Sequence, residues 1–233
     1  MVGGIARRKR GQMTGKLILV RHGQTFGNVA KRLDTRPPGA ALTDFGHEQA
    51  RKYGQSIAGR PPSVLVSSVA LRARQTAEHI ALATSSMMVE RDGLQEASAG
   101  DWEDRTDKEA HDGFTAVYGA WHRGDLDAQV PGGETGRSVL DRYVPVLEQL
   151  REQYLFEDDP RDVVVVGHGA AIRLVGGVLG GVDGAFAADN HLDNTGTVEL
   201  APLAGGGWAC VRWGSFVLPF QGKGSRTLDD PIS

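Results

Sequence analysis

The chain has 233 residues, 40% hydrophobic and 24% charged, proportions that exclude collagen, a coiled coil or intrinsic disorder as the main architecture. A chain of this length buries roughly 70–75% of the surface its unfolded form exposes, and its single cysteine, Cys210, permits neither an internal disulfide nor a zinc cluster. The formal net charge of −3 offers no global basic field to a nucleic-acid backbone, so any phosphate recognition has to be local.

Residues 1–15 are basic without a following apolar stretch, which reads as a disordered tail, or as an upstream start before Met13, and not as a secretory signal. KLILVR at 16–21 suits a central parallel strand, ending at Gly23. Helix formers at 43–58, with Thr43 as cap and Gly59, Pro61 and Pro62 as stop, predict a first helix. A strand at 63–67, a helix at 71–84 and a strand at 87–91 follow. Residues 92–133 have a weaker pattern, expected to be a helical excursion forming a lid. The long helical pattern at 134–157 contains Pro145, which lacks an amide donor and is expected to kink or divide it.

The stretch VVVVGHGAAIRLVGGVLGGV at 163–182 carries His168 and Arg173 and six glycines, so a buried strand, a tight loop and a core helix explain it better than a membrane span. Residues 195–201 and 208–213, separated by AGGG, predict a closing hairpin, and 219–233 a loosely held polar tail. Strands alternating with helices predict one α/β domain over 16–218 with a mainly parallel sheet.

In such sheets ligands bind beyond the carboxyl ends of the strands. His22 follows the first strand and His168 the most apolar one, so both fall at one sheet edge. Arg72 and Arg74 lie near the start of the helix at 71–84, where free amides and a guanidinium both suit a phosphate, and Arg21 precedes His22. Two histidines among arginines suggest a phosphoryl pocket. The rival patterns are weak: GHGAAI at 167–172 lacks the last glycine of a dinucleotide fingerprint, and His22, His168 and His191 show no metal-ligand spacing with the aspartates.

Arg21-His22-Gly23-Gln24-Thr25, Asn28, LRARQTA at 71–77, Glu96 in LQEASAGDWED, PGGET at 131–135 and Gly167-His168-Gly169 resemble, in order and spacing, the histidine phosphatase superfamily, also called the phosphoglycerate mutase-like family. The resemblance covers residues 16–200. It implies a three-layer α/β sandwich: a mainly parallel central sheet, helices on both faces and an antiparallel edge strand. It further implies that neutral His22 attacks phosphorus, that Arg21, Thr25, Asn28, Arg72, His168 and Gly169 hold the phosphoryl oxygens, and that Glu96 carries the proton. No cofactor and no metal is implied.

Mutases of this family carry a longer insertion with paired arginines before the PGGE-like motif. The interval 97–130 here lacks that pair, which points to the phosphatase branch. Asp104 stands where relatives often have glycine and adds a negative charge near the mouth. Arg32, Arg36, His122 and Arg123 are candidates for reading the rest of the substrate, with ordinary loop solvation as the alternative. The expectation is a cytoplasmic, metal-independent phosphatase, monomeric or homodimeric, acting on a small phosphorylated metabolite with no nucleic-acid or membrane partner. A phosphoglycerate mutase and a non-catalytic phospho-ligand binding module are the alternatives.

Overall fold

A computed structural model describes residues 15–156 and 159–218; the tails expected at 1–15 and 219–233 lie outside them, Gly15 apart, as does the end of the helix expected at 134–157. Fifteen elements alternate along the described chain. They are β1 (Leu17–Arg21), α1 (Phe26–Val29), α2 (Asp44–Ile57), β2 (Val64–Ser68), α3 (Leu71–Thr84), β3 (Met88–Arg91), a 3-10 turn (Gly100–Trp102), α4 (Lys108–His122), α5 (Gly136–Tyr154), β4 (Val163–Gly167), α6 (Gly169–Gly180), α7 (Gly184–Asp189), β5 (Thr197–Pro202), β6 (Trp208–Trp213) and β7 (Phe216–Val217).

The strands form one sheet in the order β3-β2-β4-β1-β5-β6-β7. β3, β2, β4 and β1 pair in parallel, whereas β1 with β5, β5 with β6 and β6 with β7 are antiparallel. The antiparallel part is a three-stranded flank: the predicted hairpin, β5 and β6, is extended through the Gly214 turn into the short edge strand β7.

Alternation along the strands builds the layers. Leu17, Leu19, Val64, Val66, Val163 and Val165 face Tyr143 and Leu147 of α5, Ile172 of α6 and Trp121 of α4. Ile18, Val20, Leu65, Val164 and Val166 face Ala73, Ala77 and Ile80 of α3. With both faces covered, the parallel strands read as the unbroken apolar runs seen in the sequence.

α5 runs through Pro145 without dividing, since Pro145 and Asp141, the residue whose carbonyl loses its amide partner, are both exposed to solvent. The excursion at 92–133 is anchored: Tyr118 and Trp121 of α4 belong to the main core, and Trp121 donates Nε1–H to Ala128 O. Among the described residues no helix is long and apolar enough to cross a membrane.

Candidate active site

The carboxyl ends of β1, β2 and β4 converge because these strands neighbour one another, with Arg21 opposite Gly167 in register. His22 and His168 therefore meet, with ring centroids 5.3 Å apart and planes tilted by 60°. His22 is held by its own backbone, whose N–H donates to Gly167 O at 3.0 Å and whose carbonyl accepts from Asn194 Nδ2 at 3.0 Å. Its ring Nδ1 lies 2.8 Å from Gly23 O. A carbonyl only accepts, so Nδ1 carries the proton and Nε2 keeps the lone pair.

Arg72 enters from the first turn of α3 and is 2% exposed. Its Nε donates to His168 Nδ1 at 3.1 Å, and Ser68 Oγ lies 2.9 Å from His168 Nε2. A guanidinium always donates, so neutral His168 carries its proton on Nε2, toward Ser68. Arg21 crosses over Gly169, where a Cβ would meet its Nε at 3.2 Å, and donates Nη1–H to Leu192 O. Gly39, at φ +68°, makes room for Arg72: a Cβ there would lie 2.2 Å from Nη1.

Two donors in this nest are left over. Arg21 Nε and Arg72 Nη1 are buried without a hydrogen-bond partner, and the nearest carboxylate oxygen to Arg72 Nη1, Asp34 Oδ2, is 3.8 Å away. A buried cationic N–H without an acceptor is costly, so the arrangement fits an anion. Burial, and then the charges of Arg72 and Arg21, hold the His22 imidazole well below its ordinary value of 6.5. His168 is depressed likewise, first by burial, then by Arg72 and His22. Both rings are neutral at pH 7.

This has a stability consequence. As pH falls through about 6.5 the unfolded imidazoles bind protons while the folded ones do not, so the unfolded state gains protons and stability declines with acidification. The expected slope is up to about 1.4 kcal/mol per pH unit per histidine. Urea titrations at stepped pH below 6.5 should show this decline and a shallower one in His168→Asn; a pH-independent midpoint would contradict the depressed values.

Glu96 arrives from the loop after β3 and docks on the start of α6. Its Oε1 accepts from Ala171 N at 2.8 Å and Ala97 N at 2.9 Å, its Oε2 from Ala170 N at 3.1 Å. A carboxylate suits a helix N-terminus, where free amides carry partial positive charge. Its loop is fixed by the PGGET segment: Glu134 accepts from Ser98 N and pairs with Arg142 at 2.7 Å, and Arg142 Nη2 donates to Glu96 O.

The structure thus brings together Arg21, His22, Arg72, His168, Gly169 and Glu96. Thr25 and Asn28 form the capping box of α1, with Asn28 Oδ1 accepting from Thr25 N and Thr25 Oγ1 from Asn28 N. Arg74 turns aside to Glu90 at 3.7 Å. His122 packs on the Tyr118 ring at 4.6 Å, and burial, then Arg173, lowers it to about 4. His191 is lowered to about 4 by burial and the charges of Arg173 and Arg21; among the described residues no three His, Cys, Asp or Glu side chains gather as a metal site. Arg123 is exposed, and Arg32 and Arg36 border a separate cavity beside Arg72. Sequence reading missed Ser68, Asn194, and Thr76, whose Oγ1 accepts from Gly23 N at 3.0 Å. Only the position of Ser68 at a strand end signalled it.

A family description, histidine phosphatase superfamily (branch 1), matches residues 17–215. The chain belongs to the histidine phosphatase superfamily. As a member of it the protein is an enzyme of phosphomonoester hydrolysis, with mutases among its relatives. It is 30% identical over 211 residues to glucosyl-3-phosphoglycerate phosphatase of Mycolicibacterium vanbaalenii, covering 85% of this chain and 91% of that one. It is 36% identical over 186 residues to the 2,3-bisphosphoglycerate-dependent phosphoglycerate mutase of a Chelativorans species, covering 74% and 84%. Its fold is similar to the solved structure of a mycobacterial glucosyl-3-phosphoglycerate phosphatase, with a TM-score of 0.74 and 26% identity over 87% of this chain and 99% of that one.

Proposed function

We propose that this enzyme hydrolyses a small phosphomonoester, a sugar phosphate or a phosphoglycerate derivative, through a phosphohistidine on His22. The observation that carries the reading is the His22 Nδ1–H bond to Gly23 O, which turns Nε2 and its lone pair into the free nitrogen of a ring flanked by two unpartnered guanidinium donors. His22 Nε2 bonds to phosphorus as the ester P–O bond breaks, and Glu96, which takes up a proton as the monoanionic ester binds, gives it to the departing alkoxide oxygen. Glu96 then takes a proton from water, which attacks phosphorus; the N–P bond breaks and the lone pair returns to His22.

Arg21 and Arg72 counter the charge on the equatorial oxygens throughout, which makes the transfer metal-independent. His168 holds Arg72 in the resting site, and Asn28 and the Gly169 backbone supply further donors. A single cysteine, Cys210, accords with a cytoplasmic enzyme.

The names of the relatives support phosphatase and mutase chemistry alike, because both share the first half-reaction. Incubation with 3-phosphoglycerate, following phosphate release and isomer conversion together, separates them. Net phosphate release is expected; isomerisation without release assigns the enzyme to the mutases. A binding module of no activity would need neither the nucleophile nor the proton carrier, and turnover of any monoester removes it.

A further inference from the structure

A cavity of about 350 Å³ opens beside Arg72, bordered by Arg32, Asp34, Arg36, Gly39, Glu103 and Asp104. Two of its lining residues, Asp34 and Gly39, approach the phosphoryl nest. Asp34 Oδ2 lies 3.8 Å from the unpartnered Arg72 Nη1, and Gly39 is the residue whose missing side chain admits that nitrogen. Its volume is at the lower end of small-molecule sites.

The carboxylates around it are not equivalent. Glu103 is committed to the protein, accepting from Thr35 N at 2.7 Å, Arg36 N at 2.9 Å and the Thr35 hydroxyl. Asp34 accepts from Ala40 N at 2.8 Å. Asp104 instead stands at the rim, its side chain 73% exposed, with Oδ1 3.5 Å from Arg32 Nη1. Two backbone bonds set that juxtaposition, Asp104 N to Leu33 O at 2.8 Å and Leu33 N to Arg105 O at 3.0 Å.

Stability does not explain Asp104. An exposed ion pair contributes little, and Asp104 has φ +65°, a left-handed conformation that a non-glycine residue adopts under strain. What the pair does change is the charge offered to a ligand. With Arg32 paired to Asp104, Arg36 is left against Asp34 and Glu103 around the cavity, and the rim offers hydrogen bonds without a net cation.

Resting on the phosphomonoesterase reading, we propose that this cavity receives the alcohol part of the substrate and that Asp104, by occupying Arg32, selects hydroxyl-bearing neutral alcohols over alcohols that carry a carboxylate. In this the enzyme parts from relatives named for phosphoglycerate derivatives.

The test compares glycerol 3-phosphate with 3-phosphoglycerate, which share the phosphoryl group and differ at a hydroxymethyl versus a carboxylate. The readout is the ratio of their kcat/KM values within each protein, which cancels any general effect of a substitution on folding or turnover. The wild-type ratio favours glycerol 3-phosphate. In Asp104→Asn, which keeps a residue tolerant of positive φ, the ratio falls about fivefold, mainly through KM for 3-phosphoglycerate, and high salt shrinks the change. Adding Arg32→Ala to Asp104→Asn restores the ratio. A ratio unmoved by Asp104→Asn, or a fall that survives loss of Arg32, overturns the inference. Failure of the wild-type enzyme on p-nitrophenyl phosphate overturns the hydrolase reading itself; normal turnover of that ester with an unmoved ratio overturns the subsite alone.

Discussion

Replacing His22 with alanine should lower kcat by about 10⁴-fold or more while the protein stays folded. The substitution removes the imidazole whose Nε2 faces the guanidinium donors, and those donors alone can then assist only direct attack by water. Folding should survive, because the imidazole makes one side-chain hydrogen bond, to Gly23 O, and is already neutral in its burial. The space left is also a built test. Exogenous imidazole should enter it and restore part of the activity, since Arg21 and Arg72 remain poised around the same position. Rapid quench with labelled monoester should trap an acid-labile phosphoenzyme in the wild type and none in His22→Ala. Residual activity within tenfold of wild type, in a variant with a normal thermal melt, would take the nucleophile role away from His22.

How far the sequence discloses this site follows from the physics of its parts. β1 and β4 are covered on both faces, so their apolar runs announce them, and the histidine after each is thereby fixed to one sheet edge. Arg72 could be placed near a helix start, but not that its Nε would engage His168, a residue 96 positions away. Glu96 lies in a loop without periodicity, and its docking on the amides of Ala170 and Ala171 is a tertiary event with no local signal; only the resemblance to a family singled it out. α1 and α7 span four and six residues, too short for a 3.6-residue period to register. α4 reads weakly because Gly113 and Gly119 dilute its apolar face, although Gly113 exists to let the Trp102 ring approach, a Cβ there meeting it at 2.6 Å. Asp104 is the reverse case, a residue conspicuous in the sequence whose meaning emerges only with its backbone conformation and its partner Arg32.

Exchange of Arg72 for methionine should separate anion binding from folding. Methionine keeps an unbranched apolar stem in a site that is 2% exposed but removes both the bond to His168 Nδ1 and the unpartnered Nη1. Loss of one preorganised donor to a developing oxyanion costs about 10²–10³ in rate, and a buried cation belongs at the upper end or beyond. The ligand-free protein should change little, within about 2 kcal/mol, because the relief of a desolvated charge offsets the stranding of Asp34 and His168. The ligand-dependent part should vanish. A phosphate or vanadate ion that binds only the folded state raises stability by about 2.7 kcal/mol at a hundredfold excess over Kd, and Arg72→Met should lose that increment together with activity. Arg72→Lys should recover only a fraction, because an ammonium is a point charge and cannot hold His168 and the anion with separate nitrogens of one planar fork. If instead methionine leaves oxyanion stabilisation intact, the two buried donors do not define the phosphoryl pocket and the anion must bind elsewhere along the sheet edge.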